Sequence, residues 1–557
     1  MNTAILLAMA ILALAGGYLF YSRYLSRILG LGSLEKTPAH TLRDGVDYIP
    51  AKMPVLLGHH FASIAGAAPI IGPVIAAQYG WVPVYLWILL GGIFLGAVHD
   101  FVTLVASVRN RGLSVGSIIE RYLGPTGKLL FLIFAWATLL LVIAVFTRVV
   151  SATFVSQPQV ATASILFMVL AVAFGVAVNV LRVPLWLATV VGVILLAGCL
   201  YGGGLLPFPR ILEAGDGADP MLMFWFVALM GYIFVASVTP VNILLQPRDY
   251  LNSFLLYAML GLSVVAIFVS RPEVAGPAIT TFDVEGLGPL FPLLFVTVAC
   301  GAISGFHSLV ASGTTAKQLD RETDARPVAY GGMLIESLLA VIALLSVVYV
   351  SKETYLQRLF TEHGKNPVEA FSEGISYFMI SIGIGQEAGR VFIALTVSAF
   401  ALTSLDTATR LARFTLQEMF QRGGEPRGAA ALVARNRFVA TAITAGAAFG
   451  LLMLGKGLSL LWQLFGAANQ LLAALALMAA TVWLARTGRR NFFTRIPMVL
   501  MMLVTLCALV LKLVESIRTG SWVITGIAVL LLGLSLALGV TYLRADRSVS
   551  SEESVSS

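Results

Sequence analysis

The sequence predicts an all-α polytopic membrane protein of about fifteen transmembrane helices, and three observations carry that prediction. Of 557 residues, 58% are hydrophobic and 11% charged, with a mean hydropathy of +0.91. Soluble domains carry about 25% charged residues, so this chain could not clothe a water-facing surface. Apolar runs of about 20 residues, the length that crosses a bilayer, recur from one end to the other. The basic residues gather in alternate short loops, the pattern that sets membrane orientation.

The runs fall near 3–22, 58–80, 83–107, 129–155, 162–181, 184–203, 221–245, 250–270, 290–315, 329–350, 388–409, 432–455, 458–484, 496–516 and 521–543. With the N-terminus outside and strict alternation, the inner loops hold 26 of the 36 Lys and Arg, and the C-terminus is cytoplasmic. No basic residue precedes the apolar run at 4–20, which reads as a retained helix rather than a cleaved signal. Residues 1–57 are therefore a peripheral helix and a cytoplasmic connector. The outer loops at 204–220 and 271–289 are rich in Gly and Pro. The segment 351–387 contains SEGISYFMISIGIG, a short re-entrant or surface helix. The polar tail 544–557 is expected to be disordered.

The net charge of +8 belongs to topology-setting loops and implies no nucleic-acid partner. Cys199, Cys300 and Cys507 lie far apart in apolar runs, which gives no disulfide framework and no metal spacing. No GxxxxGK[ST] loop is present, so an ATP-driven pump is disfavoured.

The run at 58–80, GHHFASIAGAAPIIGPVIAAQYG, is apolar yet holds Gly66, Pro69, Gly72 and Pro73. Proline removes a backbone donor and glycine loosens the ladder, so a broken helix is expected. Broken helices survive in membranes where they line a cavity, and in secondary transporters they bind substrate and ions. Five spans later, 221–245 contains VASVTPVN, where Pro240 suggests a second interruption. Two such spans at matching positions mark an inverted repeat, here 58–203 and 221–409, with 432–543 as peripheral helices. Kinks made only for helix packing are the alternative.

Further motifs are distinctive. GHHFASIAGAAPIIGPVIAAQYGW, GAVHDF, VASVTPVNILLQPRDYLNSF, CGAISGFHSLVASGTTAKQLDRETDA, SLDTATRLARFTLQEMF and WQLFGAANQLLAALAL occur in this order. Together they resemble the carbon starvation protein A family. The resemblance implies a bacterial inner-membrane transporter of the amino acid–polyamine–organocation superfamily, with a leucine-transporter-like core of two five-helix inverted repeats. It also implies uptake of peptides or pyruvate, pyruvate entering with protons. Longer members run well beyond 557 residues, and many are expected to carry glutamine where this chain has His99.

Such a core places the ion or proton site between the first broken span and the run at 290–315. Unwound carbonyls near Ser63–Gly66, with the hydroxyls of Ser304, Ser308 and Ser312, would supply oxygen ligands for a small cation, and Ser63, Gly66 and Ala67 at this break are substrate-binding candidates. Small-residue helix packing is the other reading of these positions. His59, His60, His99 and His307 lie in or beside these spans, and histidine titrates near neutral pH. Asp100 and Glu336 are proton-relay candidates, because intramembrane carboxylates are rare and functional. Asp406, four residues before Arg410, reads as a structural ion pair. A metal site from His59, His60, His99 and Asp100 is disfavoured, since the adjacent pair lacks i,i+4 spacing.

Arg148, the one Lys or Arg that this topology leaves inside a span, is a candidate partner for an anionic substrate. Ser237, Thr239 and Asn242 at the second interruption are further substrate candidates, and Asn469 with Gln470 in the WQLFGAANQ motif are candidates for orienting substrate or for interhelical hydrogen bonds. The expected function is import of a peptide or pyruvate coupled to protons or sodium, by alternating access. The partners are that substrate and the bilayer, with no cofactor and no enzymatic activity. A membrane metal- or haem-binding protein and a nutrient sensor without flux are the alternatives.

Overall fold

The computed structural model describes residues 2–44, 48–212, 219–239, 244–361, 364–421, 428–454 and 458–556. Among them thirteen helices are long and apolar enough to cross a membrane, and the pair Met53–Ile64 and Ala68–Tyr79, bent by 47°, makes a fourteenth span. The remaining predicted run is also present, as Leu290–Thr297 and a second helix that starts at Gly305 and continues to Gln318. All fifteen apolar runs are therefore helical, and two of them are broken.

Each break has a local cause. Pro69 lies in the first turn of Ala68–Ala76, where its missing N–H leaves no bond unmade. Gly66 meets a neighbouring helix so closely that a Cβ there would stand 2.3 Å from Ser404 Oγ. In the other broken span the sequence VACGAIS separates the two helices, and Ser304 is extended at φ −131°, ψ 124°.

The second interruption expected in 221–245 was placed at Pro240, which lies outside the described residues. Helix Pro220–Val238 is continuous over 19 residues, a full crossing, and Thr239 follows it in an extended conformation. Ser237 and Thr239 lie at the end of that helix. Asn242 lies outside the described residues.

The loops segregate to two faces, as alternate crossing requires. On one, Thr37 Oγ1 donates to Leu319 O at 2.6 Å, Arg109 Nε to Glu322 Oε1 at 2.6 Å, and Ala51 N to Gln318 O at 2.9 Å. On the other, Thr3 N donates to Pro272 O at 2.8 Å and Ala275 N to Val348 O at 3.0 Å. The segment SEGISYFMISIGIG forms part of helix Pro367–Met379, whose apolar face packs inward, with Gly374 against Ser346 O.

Two expectations about the periphery change. Helix Leu461–Arg486 is buried over the whole of its apolar window, so it is central, whereas Leu185–Leu205 is buried over 22% of its window and lies outermost. Small residues explain the first, because Gly466 lets the helix approach Val296 O closely. The last helix runs Trp522–Ser556, so the tail expected to be disordered is helical to Ser556. Residues 544–556 contain no proline or glycine to end it.

Candidate functional site

The two breaks face each other across a small cavity at the centre of the bundle. Gly66 lines it from the first broken span, and Cys300 and Phe306 from the second. Phe146 of helix Val115–Ser156, Ser404 of helix Gln386–Phe420 and Phe465 of helix Leu458–Arg486 complete the wall. Its volume of about 10 Å³ holds little more than one water, so the chamber is closed. Ser404 is 2% exposed and its Oγ has no hydrogen-bond partner.

Breaking a helix in lipid strands backbone carbonyls, and each must find a donor. Side chains supply them along the second broken span. Trp462 Nε1 donates to Thr297 O at 3.1 Å and Gln470 Nε2 to Phe295 O at 2.7 Å. Trp87 Nε1 donates to Val298 O at 3.1 Å and Ser337 Oγ to Gly301 O at 3.0 Å. Asn469 secures the other lip: its Oδ1 accepts from Phe306 N at 2.9 Å, and its Nδ2 donates to Ser304 Oγ at 3.0 Å. The WQLFGAANQ motif is thus a clamp on the broken span. Asn469 acts there as the cap of the helix starting at Gly305, so its side chain is already engaged.

Beside this clamp lies a chain of buried ionisable groups. His99 Nδ1 donates to Asp100 Oδ1 at 2.7 Å, and His307 Nδ1 to Asp100 Oδ2 at 2.8 Å. His307 Nε2 stands 3.2 Å from Glu336 Oε2, an ion-pair contact whose angle falls outside that of a hydrogen bond. All four side chains are fully buried. Helix Ala97–Arg109 brings His99 and Asp100, the second broken span His307, and helix Gly332–Val348 Glu336. Three candidates far apart in sequence, Asp100, His307 and Glu336, therefore meet at one point. Among the described residues no group of three His, Cys, Asp or Glu has metal-holding geometry.

The other candidates are dispersed. His60 is buried with Nδ1 2.8 Å from Thr315 Oγ1, and His59 is half-buried toward the inner-loop face. Ser308 Oγ donates to Gly305 O at 2.6 Å, Ser312 Oγ to Ser308 O at 2.7 Å and Ser63 Oγ to His59 O at 2.8 Å. Those hydroxyl protons are spent on their own helices. Gly66 and Ala67 are buried at the first break, with Gly66 on the cavity wall. Arg148 is half-buried, two residues from Phe146 but absent from the wall. Ser237 is buried, with Oγ 3.3 Å from Thr441 Oγ1.

Asp406 does not pair with Arg410. It binds Arg248, and Tyr232 Oη donates to Asp406 Oδ2 at 2.6 Å. Arg410 instead caps helix Pro220–Val238 through Ala236 O and Thr239 O. Counting charges by loop had assigned Arg248 to solvent, and it is 1% exposed. The signal that could have found it is the dipeptide Arg248-Asp249 at the start of an apolar helix. Ser404, also missed, carries no signal beyond a hydroxyl within an apolar helix.

Two broken spans closing on a chamber, beside a buried acid–imidazole–acid chain, define a polytopic membrane transporter. The chain belongs to the carbon starvation protein CstA family, whose model matches residues 2–362 and 357–508. It is 33% identical to the peptide transporter CstA of Helicobacter pylori over 90% of this chain and 80% of that one. It is likewise 33% identical to the pyruvate/proton symporter BtsT of Escherichia coli, with 90% and 80% covered. The peptide transporter CstA of Bacillus subtilis is 32% identical, with 88% and 86% covered. Among solved structures, a manganese transporter of Eremococcus coleocola superposes at a TM-score of 0.49 and 13% identity, over 90% of this chain and 99% of that one.

Proposed function

We propose that this protein is a proton-coupled importer of a small carboxylate in the bacterial inner membrane, working by alternating access. The observation that carries the proposal is the contact of His307 with Asp100 on one side and Glu336 on the other. Phe306, the preceding residue in the chain, lines the chamber, so the helix end that holds His307 also faces the substrate space. A change in the protonation of His307 and a change in the shape of the chamber are then one local event.

The transport core is read as two inverted five-helix repeats, each opening on a broken span. The first begins at Met53, continuing with Trp81–Arg109 and Val115–Ser156. The second begins at Leu290, continuing with Glu322–Val348 and Gln386–Phe420. Six spans lie between the two starts, an even number, which orients them oppositely. Support comes from the packing of Val115–Ser156 against Gln386–Phe420 and of Gly92–Arg109 against Arg326–Val348, third with third and second with second.

The closed chamber holds neither substrate, and its lining suits a small carboxylate such as pyruvate better than a peptide. The wall is aromatic and aliphatic, with no charged side chain to hold a second charge. A carboxylate meets the unpartnered hydroxyl of Ser404 on that wall. Peptides are the second reading, favoured by relatives named as peptide transporters. Uptake of labelled pyruvate and of a dipeptide into proteoliposomes, under separate proton and sodium gradients, tests both. Pyruvate accumulation under the proton gradient is the expected result, and failure of both substrates under both gradients sinks the assignment.

A further inference from the structure

A second buried ionic cluster lies outside the chamber and joins three helices. Arg248, in the first turn of helix Leu245–Ser270, binds Asp406 of helix Gln386–Phe420. Arg248 Nη1 also donates to Tyr232 Oη of helix Pro220–Val238 at 2.6 Å, and Nη2 to Asp249 Oδ1 at 3.1 Å. Arg248 and Asp406 are each 1% exposed. Below them Asn252 Nδ2 donates to Thr403 Oγ1 at 3.1 Å, across the same helix pair.

The position is one-sided. The far end of helix Leu245–Ser270 lies at the face where Thr3 meets Pro272, so Arg248 lies toward the opposite face, with Lys52 and Arg109. The same helix packs on the first half of the first broken span, where Tyr257 and Phe61 stack at 6.3 Å. Asp249 lies within electrostatic reach of His59 on that half-helix. The cluster therefore ties the helix that packs on the first half of the broken span to the helix that carries Ser404 on the chamber wall.

Its hydrogen bonding is incomplete. Arg248 Nε and Asp406 Oδ1 are buried without partners. A buried network left partly unsatisfied is less costly to break than a complete one, because water regained on opening satisfies the remaining atoms. That is the property of a fastening that must release.

We infer that the Arg248–Asp406–Tyr232 cluster is the latch that keeps the chamber closed on the inner-loop side, and that its rupture admits the inward-open state. The inference rests on the transport reading but is tested without substrate. Cys300 lines the chamber and serves as the reporter, in full-length protein with Cys199→Ser and Cys507→Ser. A membrane-impermeant maleimide is applied to either side of oriented vesicles. Asp406→Asn should raise labelling of Cys300 from the inner-loop side by about tenfold and leave labelling from the other side unchanged. Tyr232→Phe, which removes only the hydroxyl bonds, should raise it by about threefold. Unchanged inner-side labelling in a folded Asp406→Asn protein overturns the latch. If that variant does not fold, unchanged labelling in Tyr232→Phe overturns it equally. Uptake that fails while labelling responds would count against the substrate assignment and leave the latch standing.

Discussion

Asp100 accepts a hydrogen bond from His307 Nδ1 at 2.8 Å, and that bond settles where the imidazole keeps its proton. A neutral imidazole with its hydrogen on Nδ1 presents a bare Nε2, and Nε2 faces Glu336 Oε2 at 3.2 Å. The position between those two atoms is where a second proton can reside, on either His307 or Glu336. His99 bonds the other oxygen of Asp100 at 2.7 Å and holds the carboxylate in place. A glutamine at position 99 could donate the same bond, which reconciles this geometry with the glutamine expected in relatives.

His307→Gln should keep a side chain of similar reach but lose the titrating ring. Proton-driven accumulation should fall by at least about tenfold, and its dependence on pH between about 5 and 8 should flatten. Uptake against external pH in proteoliposomes reads both effects.

Gly66→Ala should abolish transport by steric conflict, since the new Cβ would stand 2.3 Å from Ser404 Oγ and 3.2 Å from Ser404 Cβ. Ser404→Ala removes the nearer atom. The double variant should therefore recover most of the activity of Ser404→Ala alone. A double variant as inactive as Gly66→Ala would show that the glycine is needed for its backbone freedom instead.

Asn469→Ala should cost about 1–3 kcal/mol, because it leaves the buried N–H of Phe306 without an acceptor. Thermal unfolding of the detergent-solubilised protein should show a lowered midpoint. Gly466→Ala should be worse, since its Cβ would lie 2.0 Å from Val296 O and only backbone movement could relieve it.

Much of this architecture is legible in the chain. The spans follow from hydrophobic length, and the first break from Gly66 and Pro69 in an apolar run. The location of the second break does not follow. Pro240 is the louder signal in the sequence, yet helix Pro220–Val238 before it is already a full crossing, while VACGAIS breaks the run at 290–315 with no proline at the break itself. That break exists because Trp462, Gln470, Asn469 and Ser337 satisfy the backbone it exposes, and tertiary donors leave no local trace. Asp100, His307 and Glu336 were recognisable one by one as ionisable groups in apolar spans. Their convergence depends on helix packing, as does the pairing of Asp406 with Arg248 rather than with its helical neighbour Arg410.

The coupling role of the Asp100–His307–Glu336 chain is tested most directly by Glu336→Gln in proteoliposomes, comparing gradient-driven accumulation with substrate counterflow. Glutamine keeps the size of the side chain and removes its ability to exchange a proton. Counterflow within about threefold of the unmodified protein, with no accumulation under an inward proton gradient, is the expected result. Accumulation at the unmodified level would overturn the coupling role of the chain.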